Sequence, residues 1–217
     1  MSDLKYSNPE LISNLNEKQE EAVLCTEGPL LVLAGAGSGK TRVITYRIAH
    51  LIKNLGVSPY RILALTFTNK AAREMKERVA ELIDIDVESL WVGTFHSMIL
   101  RLLRRHSDRL GFENNFIILD QADREKVLRD LLKELNIDES TLPIKTLSVS
   151  ISNAKNKLQS VEEYRAKNNK SSFAAKDIAG VYELYQNKLK ESSAMDFDDI
   201  LYFGVQLLEE NPDILKF

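Results

Sequence analysis

Short apolar runs alternate with amphipathic segments over the first 110 residues of the chain. Apolar runs at 30–33, 62–67 and 90–92 each precede a segment with helical spacing. Runs this short with few polar residues are typical of strands buried on both faces of a parallel sheet. The spacing predicts helices from Asn16 to about Thr26, after Thr41 to about Gly56, and over 69–83 and 95–110. Alternating strands and helices of this kind indicate an α/β fold whose ligands bind at the carboxyl ends of the strands.

The pattern changes after Gly111. One strand-like run, 116–119, is followed by polar segments with helical spacing at 121–136, 143–159, 160–168 and 174–191. An apolar helical pattern returns over 196–217. We interpret the polar helices as an insertion into the α/β domain.

Composition and charge limit the compartment and the kinds of partner that are expected for the protein. The chain has 217 residues, a net charge of −3 and one cysteine, Cys25, which lies in a helical apolar pattern and is predicted to be a small core residue. A lone cysteine forms no internal disulfide, which favours a reducing, cytoplasmic setting. The sequence lacks the apolar runs of a signal peptide or a membrane span. The weak acidic charge argues against a dedicated nucleic-acid binder, but cations outnumber acids over 145–190, which predicts either a local basic surface or a solvated helical face.

The glycine-rich stretch after the first apolar run carries the strongest chemical signal. Gly35, Gly37 and Gly39 allow the backbone N–H groups to turn inward around an anion, because glycine has no Cβ to prevent it. Lys40 is placed to reach the outer phosphates of a nucleotide and the Thr41 hydroxyl to bind Mg²⁺. The helix that follows directs its N-terminal dipole at the same anion. This is the pattern of a Walker A phosphate loop; the alternative is a glycine-rich turn with an incidental Gly-Lys-Thr.

A phosphate-loop ATPase also needs an acidic residue at the end of a second strand. Asp120, after the 116–119 run, is a candidate, although an N-cap of the next helix is the simpler role. Asp196, Asp198 and Asp199 are candidates for a metal site, but acids are common in the first turn of a helix. From these residues alone we expect nucleotide binding with poor hydrolysis.

The order of motifs resembles the N-terminal part of superfamily I DNA helicases of the UvrD/PcrA/Rep type over almost the whole chain. Residues 15–19 resemble the Q motif, in which Gln19 would read the adenine edge; a capping box with Asn16 is the alternative. Residues 34–41 resemble motif I, where this family often has alanine at the position of Ala34. The resemblance implies a nucleotide site formed by Gln19, Ala34, Gly35, Ala36, Gly37, Ser38, Gly39, Lys40, Thr41 and Arg42.

Two further segments, 66–72 and 93–97, resemble motifs Ia and Ib, which line the single-stranded DNA channel in this family. Phe67 offers a face for base stacking, with core packing as the alternative. For Thr94 and His96 the alternative is an ordinary strand-to-helix cap. Residues 195–199 are similar to a segment that carries an aromatic residue near DNA. The implied DNA-facing residues are Phe67, Thr68, Asn69, Lys70, Thr94, Phe95, His96 and Phe197.

The resemblance implies a RecA-like P-loop NTPase sheet in a motor domain over 1–108 and 191–217, interrupted by an all-helical accessory subdomain over 109–190. It implies an ATP- and Mg²⁺-dependent helicase that moves 3′→5′ on single-stranded DNA. We expect a cytoplasmic monomer that acts in repair or replication on single-stranded DNA and single-strand/duplex junctions, without a membrane. Since the Walker B acids should follow Phe217, we expect a fragment with little hydrolysis by itself. The alternatives are another phosphate-loop protein, such as a nucleotide kinase or GTPase, and a non-catalytic nucleotide-binding module.

Overall fold

The computed structural model describes residues 9–84, 90–168 and 173–216. The chain divides into two compact units, Met1–Met98 and Ile99–Phe217. The first contains α1 (Glu17–Leu24), α2 (Lys40–Lys53), β1 (Leu63–Thr66), α3 (Asn69–Leu82), β2 (Trp91–Thr94) and the start of α4 (Phe95–His106). Short 3-10 helices occupy Pro9–Leu11 and Pro59–Arg61. The fold is thus α/β and mostly helical, with small parallel sheets.

Strands β1 and β2 form a parallel pair, with Leu63 opposite Trp91 and Thr66 opposite Thr94. Helix α3 connects them and buries Ala72, Met75 and Val79. These side chains share a core with residues of α2 and β2, among them Ile48 and Val92. The apolar stripe of α3 therefore holds the carboxyl ends of both strands at one edge, as the spacing predicts.

Two expectations for the first unit are wrong. The predicted strand at 30–33 has no regular structure, and Leu31 and Leu33 are 81% and 86% exposed. A strand buried on both faces needs neighbouring strands, and among the described residues of this unit β1 and β2 pair only with each other. Cys25 is exposed rather than in the core, because α1 ends at Leu24 and the chain leaves the helix there.

The second unit contains the four polar helices that the sequence predicts. They are α5 (Gln121–Glu134), α6 (Ile144–Asn156), α7 (Val161–Asn168) and α8 (Phe173–Glu191), followed by α9 (Phe197–Glu210) and α10 (Pro212–Leu215). Strands β3 (Ile117–Ile118) and β4 (Ala194–Met195) pair in parallel. Leucines and isoleucines of α5, α6 and α8 form the main core around the buried rings of Tyr182 and Tyr185.

Residues 191–217 lie in this second unit, where α9 packs on α6, α10 and β4. The sequence instead groups this segment with 1–108 in a motor domain around a 109–190 insertion. The compact units show which residues pack together, and the motor-domain assignment of 191–217 stays a prediction.

Candidate nucleotide and DNA site

The phosphate-loop residues lie in an exposed loop that ends at the first turn of α2. Residues 34–38 are all exposed, and Gly39 precedes the helix as its N-cap. Gly37 and Gly39 have φ values of 75° and 85°. Side-chain-bearing residues are strained in this left-handed region, so glycine at these two positions is what the loop's path requires.

Lys40 reaches back across the loop. Its Nζ donates to the carbonyl oxygens of Gly35 at 2.6 Å and Ala34 at 3.1 Å. Ser38 closes the turn by donating from Oγ to the Gly35 carbonyl at 2.7 Å. The loop thus brings an ammonium group and a helix N-terminus to one exposed point, which is the donor set that binds phosphate groups.

Gln19 joins α1 to this loop. Its Oε1 accepts from the Asn16 backbone N–H at 3.2 Å, so the predicted capping box is confirmed. Its Nε2 donates to the Ser38 carbonyl at 3.1 Å. A Cβ on Gly39 would lie 2.8 Å from that same Nε2. Gln19 therefore buttresses the loop in this structure, and its reading of adenine stays a prediction.

Arg42 lies on the exposed side of the first turn of α2. It donates from Nη2 to the Asn14 carbonyl at 2.7 Å, and its guanidinium stands 5.3 Å from the centre of the Tyr46 ring. These contacts hold a cationic, planar group beside the loop and tie α2 to the chain that precedes α1.

Two of the candidate acidic residues, Asp120 and Asp196, are N-caps of helices in the structure. Asp120 caps α5, accepting from the Asp123 backbone N–H at 2.9 Å. Asp196 caps α9 in a capping box with Asp199. Among residues 9–84, 90–168 and 173–216 there is no group of three metal-ligating side chains suited to a metal ion. Thr41, half-buried in the first turn of α2, stays the predicted Mg²⁺ ligand.

The motif Ia segment follows β1 at the carboxyl edge of the sheet. Phe67 is 97% exposed, so its packing in the core is excluded. Thr68 caps α3 by accepting from the Ala71 N–H at 3.1 Å, and its carbonyl accepts from the Thr66 hydroxyl at 3.0 Å. Asn69 and Lys70 open α3 and are exposed. This edge therefore offers an aromatic face beside polar groups.

The motif Ib segment lies next to it, because Thr66 and Thr94 are paired. Thr94 and Ser97 exchange hydrogen bonds: each backbone N–H donates to the other's hydroxyl oxygen, at 2.8 Å and 3.2 Å. Thr94 thus makes the strand-to-helix cap. Gly93 permits this, because a Cβ there would lie 2.6 Å from Ser97 Oγ. Phe95 is 51% exposed and His96 is half-buried.

Phe197 lies in the second unit, at the first position of α9, and is 58% exposed. The flanking Asp196 and Asp199 are buried and share a cation that the sequence analysis missed. Lys155 Nζ lies 2.8 Å from Asp196 Oδ2 and 2.8 Å from Asp199 Oδ1. The sequence did contain one indication that Lys155 is buried. It follows Ile151 by four residues and therefore lies on the buried face of α6.

The buried acids titrate differently. Burial raises the pKa of Asp199 to about 6, against the opposing effect of the Lys155 ammonium. Burial also acts to raise the pKa of Asp196, but Lys155 and Arg124 together bring it below its ordinary value. Burial is the main cause of the raised pKa of Tyr185, whose hydroxyl donates to Asp196 Oδ2 at 2.9 Å. The cluster therefore contains one carboxyl group that gains a proton close to neutral pH.

The surplus of cations over 145–190, which predicts either a local basic surface or a solvated helical face, is partly buried or paired in the structure. Lys155 is buried, and Arg165 and Lys188 are paired with Glu183 and Glu134. Such exposed pairs contribute little stability, but they reduce the local positive charge. The side chains of Lys170 and Lys176 lie outside the described part of the structure.

Residues 15–217 match the family described as the UvrD/REP helicase N-terminal domain. The chain belongs to the UvrD/REP helicase family. It is 47% identical over 207 residues to the ATP-dependent DNA helicase PcrA of Staphylococcus epidermidis, and equally so to that of Staphylococcus aureus strain NCTC 8325. Each match covers 95% of this chain and 28% of the relative.

The glycine-rich loop and the exposed residues that follow β1 and β2, Phe67 and Phe95, lie in one unit, Met1–Met98. The match begins at Leu15, immediately before the capping box of α1, and includes every described element from α1 to α10. None of the helices in the described ranges is long and apolar enough to span a membrane.

Proposed function

We propose that the whole protein is an ATP-dependent DNA helicase that moves 3′→5′ along single-stranded DNA and unwinds duplexes. The observation that carries the proposal is the arrangement of the first unit. A lysine is held across an exposed glycine-rich loop at a helix N-terminus, and a fully exposed phenylalanine follows a strand of the same unit. Membership of the UvrD/REP family supports it.

In this proposal the loop holds the triphosphate. The backbone of 34–39 surrounds the phosphates, and Lys40 exchanges its present carbonyl partners for phosphate oxygens. The exchange costs little, because the Lys40 side chain is exposed in the present arrangement. The loop's glycines and the open space around Gly35 and Gly37 fit such a group.

Gln19 and Arg42 flank the nucleotide site. We propose that the Gln19 amide reads the adenine edge, and that Arg42 lies along the base. Thr41 would bind Mg²⁺, which neutralises phosphate charge when bound. Gln19 already contacts the loop through Ser38, so nucleotide occupancy and the N-terminus of α1 are mechanically linked.

The carboxyl edge of β1 and β2 is the proposed DNA surface of the first unit. Phe67 provides a stacking face, and Thr68, Asn69, Lys70, Thr94, Phe95 and His96 provide polar and aromatic groups for the backbone and bases. Phe197 is the proposed contact of the second unit. Helix α3 packs against α2, and the loop leads directly into the first turn of α2, so α2 connects the two proposed sites within the first unit.

We further propose a monomer that works in the cytoplasm, in repair or replication, at junctions of single-stranded and duplex DNA. The motor domain would comprise 1–108 and 191–217, with 109–190 as the accessory subdomain. The chain spans 28% of the length of its PcrA relatives, so the acids that activate water are expected from outside these residues.

The test is DNA dependence of hydrolysis in the whole protein. We expect ATP turnover to rise severalfold on adding oligo(dT), and duplexes with a 3′ tail to be unwound in preference to those with a 5′ tail. Turnover indifferent to DNA would favour a nucleotide kinase or GTPase. Nucleotide binding without turnover would favour a non-catalytic module.

A further inference from the structure

The first turn of α9 is held by side chains from three other helices. Asp196, Asp198 and Asp199 surround Phe197 in sequence, and each is hydrogen-bonded to α5, α6 or α8. The Lys155 side chain is fully buried, and Asp196 and Asp199 are 1% and 0% exposed. Between these buried anchors, Phe197 is 58% exposed.

Arg124 of α5 holds the first turn of α9 at Asp198. It donates from Nη1 to Asp198 Oδ2 at 2.9 Å and from Nη2 to the Ser148 carbonyl at 2.9 Å. Asn156 of α6 donates to the other oxygen of Asp198 at 3.3 Å. A guanidinium shared between α9 and α6 fixes direction as well as distance, because its donors lie in one plane.

A cavity of about 500 Å³ opens beside Phe197, and Arg124, Ser148, Ser152 and Asp198 also line it. This volume lies within the range of pockets that hold small organic groups. An aromatic ring on the wall of such a cavity has room for a base against it. A ring that is already fixed also loses less entropy on binding than a mobile one.

We infer that Arg124 and Lys155 are positioning residues, which fix the first turn of α9 so that the Phe197 ring is held ready for a nucleobase of single-stranded DNA. The inference rests on the proposed function, since it assigns positioning residues to Phe197, which is already proposed to contact DNA. Lys155 is the inner anchor, joined to both buried carboxylates, and Arg124 is the outer anchor, joined to Asp198.

The two anchors hold the turn from different helices, α6 and α5. The Asp196 and Asp199 carboxylates form the capping box of α9, so they fix where the helix begins. Lys155 then fixes this start against α6. Arg124 pairs with Asp198, which lies between these two acids in sequence, and its Nε also lies 3.7 Å from Asp196 Oδ2, so it adds a second point of attachment, from α5, to the same turn.

The experiment is a double-mutant cycle in the whole protein. Arg124→Gln removes the outer anchor. The Arg124 side chain is 12% exposed, so we expect this variant to fold, whereas Lys155→Met changes a completely buried side chain and risks unfolding the protein. Phe197→Ala removes the ring. Arg129→Gln is the matched control, because it removes the same charge from α5 where the partner is Glu139 and not α9. Affinity for a fluorescent oligo(dT) is measured for each variant and for the Arg124→Gln/Phe197→Ala pair.

We expect Phe197→Ala to weaken binding about tenfold, in line with the loss of one base stack. Arg124→Gln should weaken it severalfold in the wild-type background and not at all in the Phe197→Ala background. Arg124→Lys should restore part of the loss. An Arg124→Gln effect equal to that of Arg129→Gln, or one that persists in full without the ring, would overturn the positioning role.

A spectroscopic measurement separates this inference from the proposed function. The protein has one tryptophan, so Trp91→Phe with Phe197→Trp gives a single indole at the site. Arg124→Gln should lower the fluorescence anisotropy of that indole in the absence of DNA. If Phe197→Ala leaves DNA binding unchanged, the proposed DNA contact fails. If DNA binding falls with Phe197→Ala while Arg124→Gln leaves both affinity and anisotropy unchanged, the positioning inference alone fails.

Discussion

Replacing Lys155 with methionine tests the energetic role of the buried charge cluster. The side chain is completely buried, and its Nζ lies 2.8 Å from a carboxylate oxygen of Asp196 and of Asp199. Methionine keeps much of the volume of lysine but removes the ammonium. The variant therefore leaves two buried carboxylates next to each other without the cation that they share.

The expected loss is large. Removing one partner of a buried ion pair costs about 3–5 kcal/mol, because the remaining charge stays buried and uncompensated. Two carboxylates are affected here, although Arg124 and Tyr185 still face Asp196. We therefore expect the free energy of unfolding to fall by about 4 kcal/mol. The matched control is Lys188→Met on α8, whose exposed pair with Glu134 is worth about 0–1 kcal/mol.

Urea denaturation measures the free energy of unfolding of Lys155→Met and of the control Lys188→Met. Amide hydrogen exchange then shows which helices are destabilised, and we expect faster exchange in α6, α8 and α9 in particular. Adding Asp196→Asn to Lys155→Met should recover about 1–2 kcal/mol, because one uncompensated charge is removed while asparagine still caps α9. Equal stabilities for Lys155→Met and Lys188→Met, or further destabilisation by Asp196→Asn in the Lys155→Met background, would refute this reasoning.

The same cluster predicts a pH dependence. The pKa of Asp199 is about 6 in the folded protein and lower in the unfolded chain, so its contribution to stability is largest below the unfolded pKa and is lost as pH rises through about 6. Asp196, with its lowered pKa, acts in the opposite direction, and its contribution is lost only in more acidic solution. Besides Asp196, the ionisable groups that interact with Asp199 are Lys155 and the hydroxyl groups of Tyr182, Tyr185 and Tyr202, with Arg124 beside Asp196. Stability should therefore rise from pH 7 to pH 5 and fall below about pH 4, and Asp199→Asn should remove the rise.

Two further predictions concern the first unit. Phe67→Ala should weaken single-stranded DNA binding by about 1–3 kcal/mol without changing the unfolding free energy, because the ring is 97% exposed; Tyr60→Ala, which removes another exposed aromatic of this unit, should leave binding unchanged, and equal losses in a fluorescent oligo(dT) titration would contradict the assignment. Gly39→Ala should lower affinity for a fluorescent ATP analogue more than Gly37→Ala does. Both positions have left-handed φ angles, but only at Gly39 would the new Cβ displace the glutamine that supports the loop, so equal losses would show that this contact is unimportant.

Local signals predicted most of the elements of this protein. Helices α3, α5 and α6 were predictable because each combines an apolar stripe with a clear start or stop, such as Thr68 before α3 and Asp120 before α5. The loop before α2 was predictable because its glycines, Lys40 and the following helical pattern are adjacent in sequence, while its binding of phosphate stays a prediction. These features depend on residues within one or two turns of each other.

Two of the failures, the strand expected at 30–33 and the Lys155 cluster, have one physical cause: they depend on residues distant in sequence. The apolar run at 30–33 shows that the segment can be buried between strands, but burial depends on neighbours that the run itself does not specify, and here it is exposed. The Lys155 cluster joins positions 41 residues apart, so no local pattern reveals the pairing. Only the position of Lys155 on the apolar face of α6 was visible in the sequence.

The most direct test of the account is ATP binding and turnover by the whole protein carrying Lys40→Ala. We expect hydrolysis to fall to background and ATP affinity to drop, since the ammonium that lies across the loop is lost, while oligo(dT) binding stays near the wild-type level. Retained turnover, or oligo(dT) binding lost in parallel with ATP binding, would contradict the proposal that this loop holds the triphosphate.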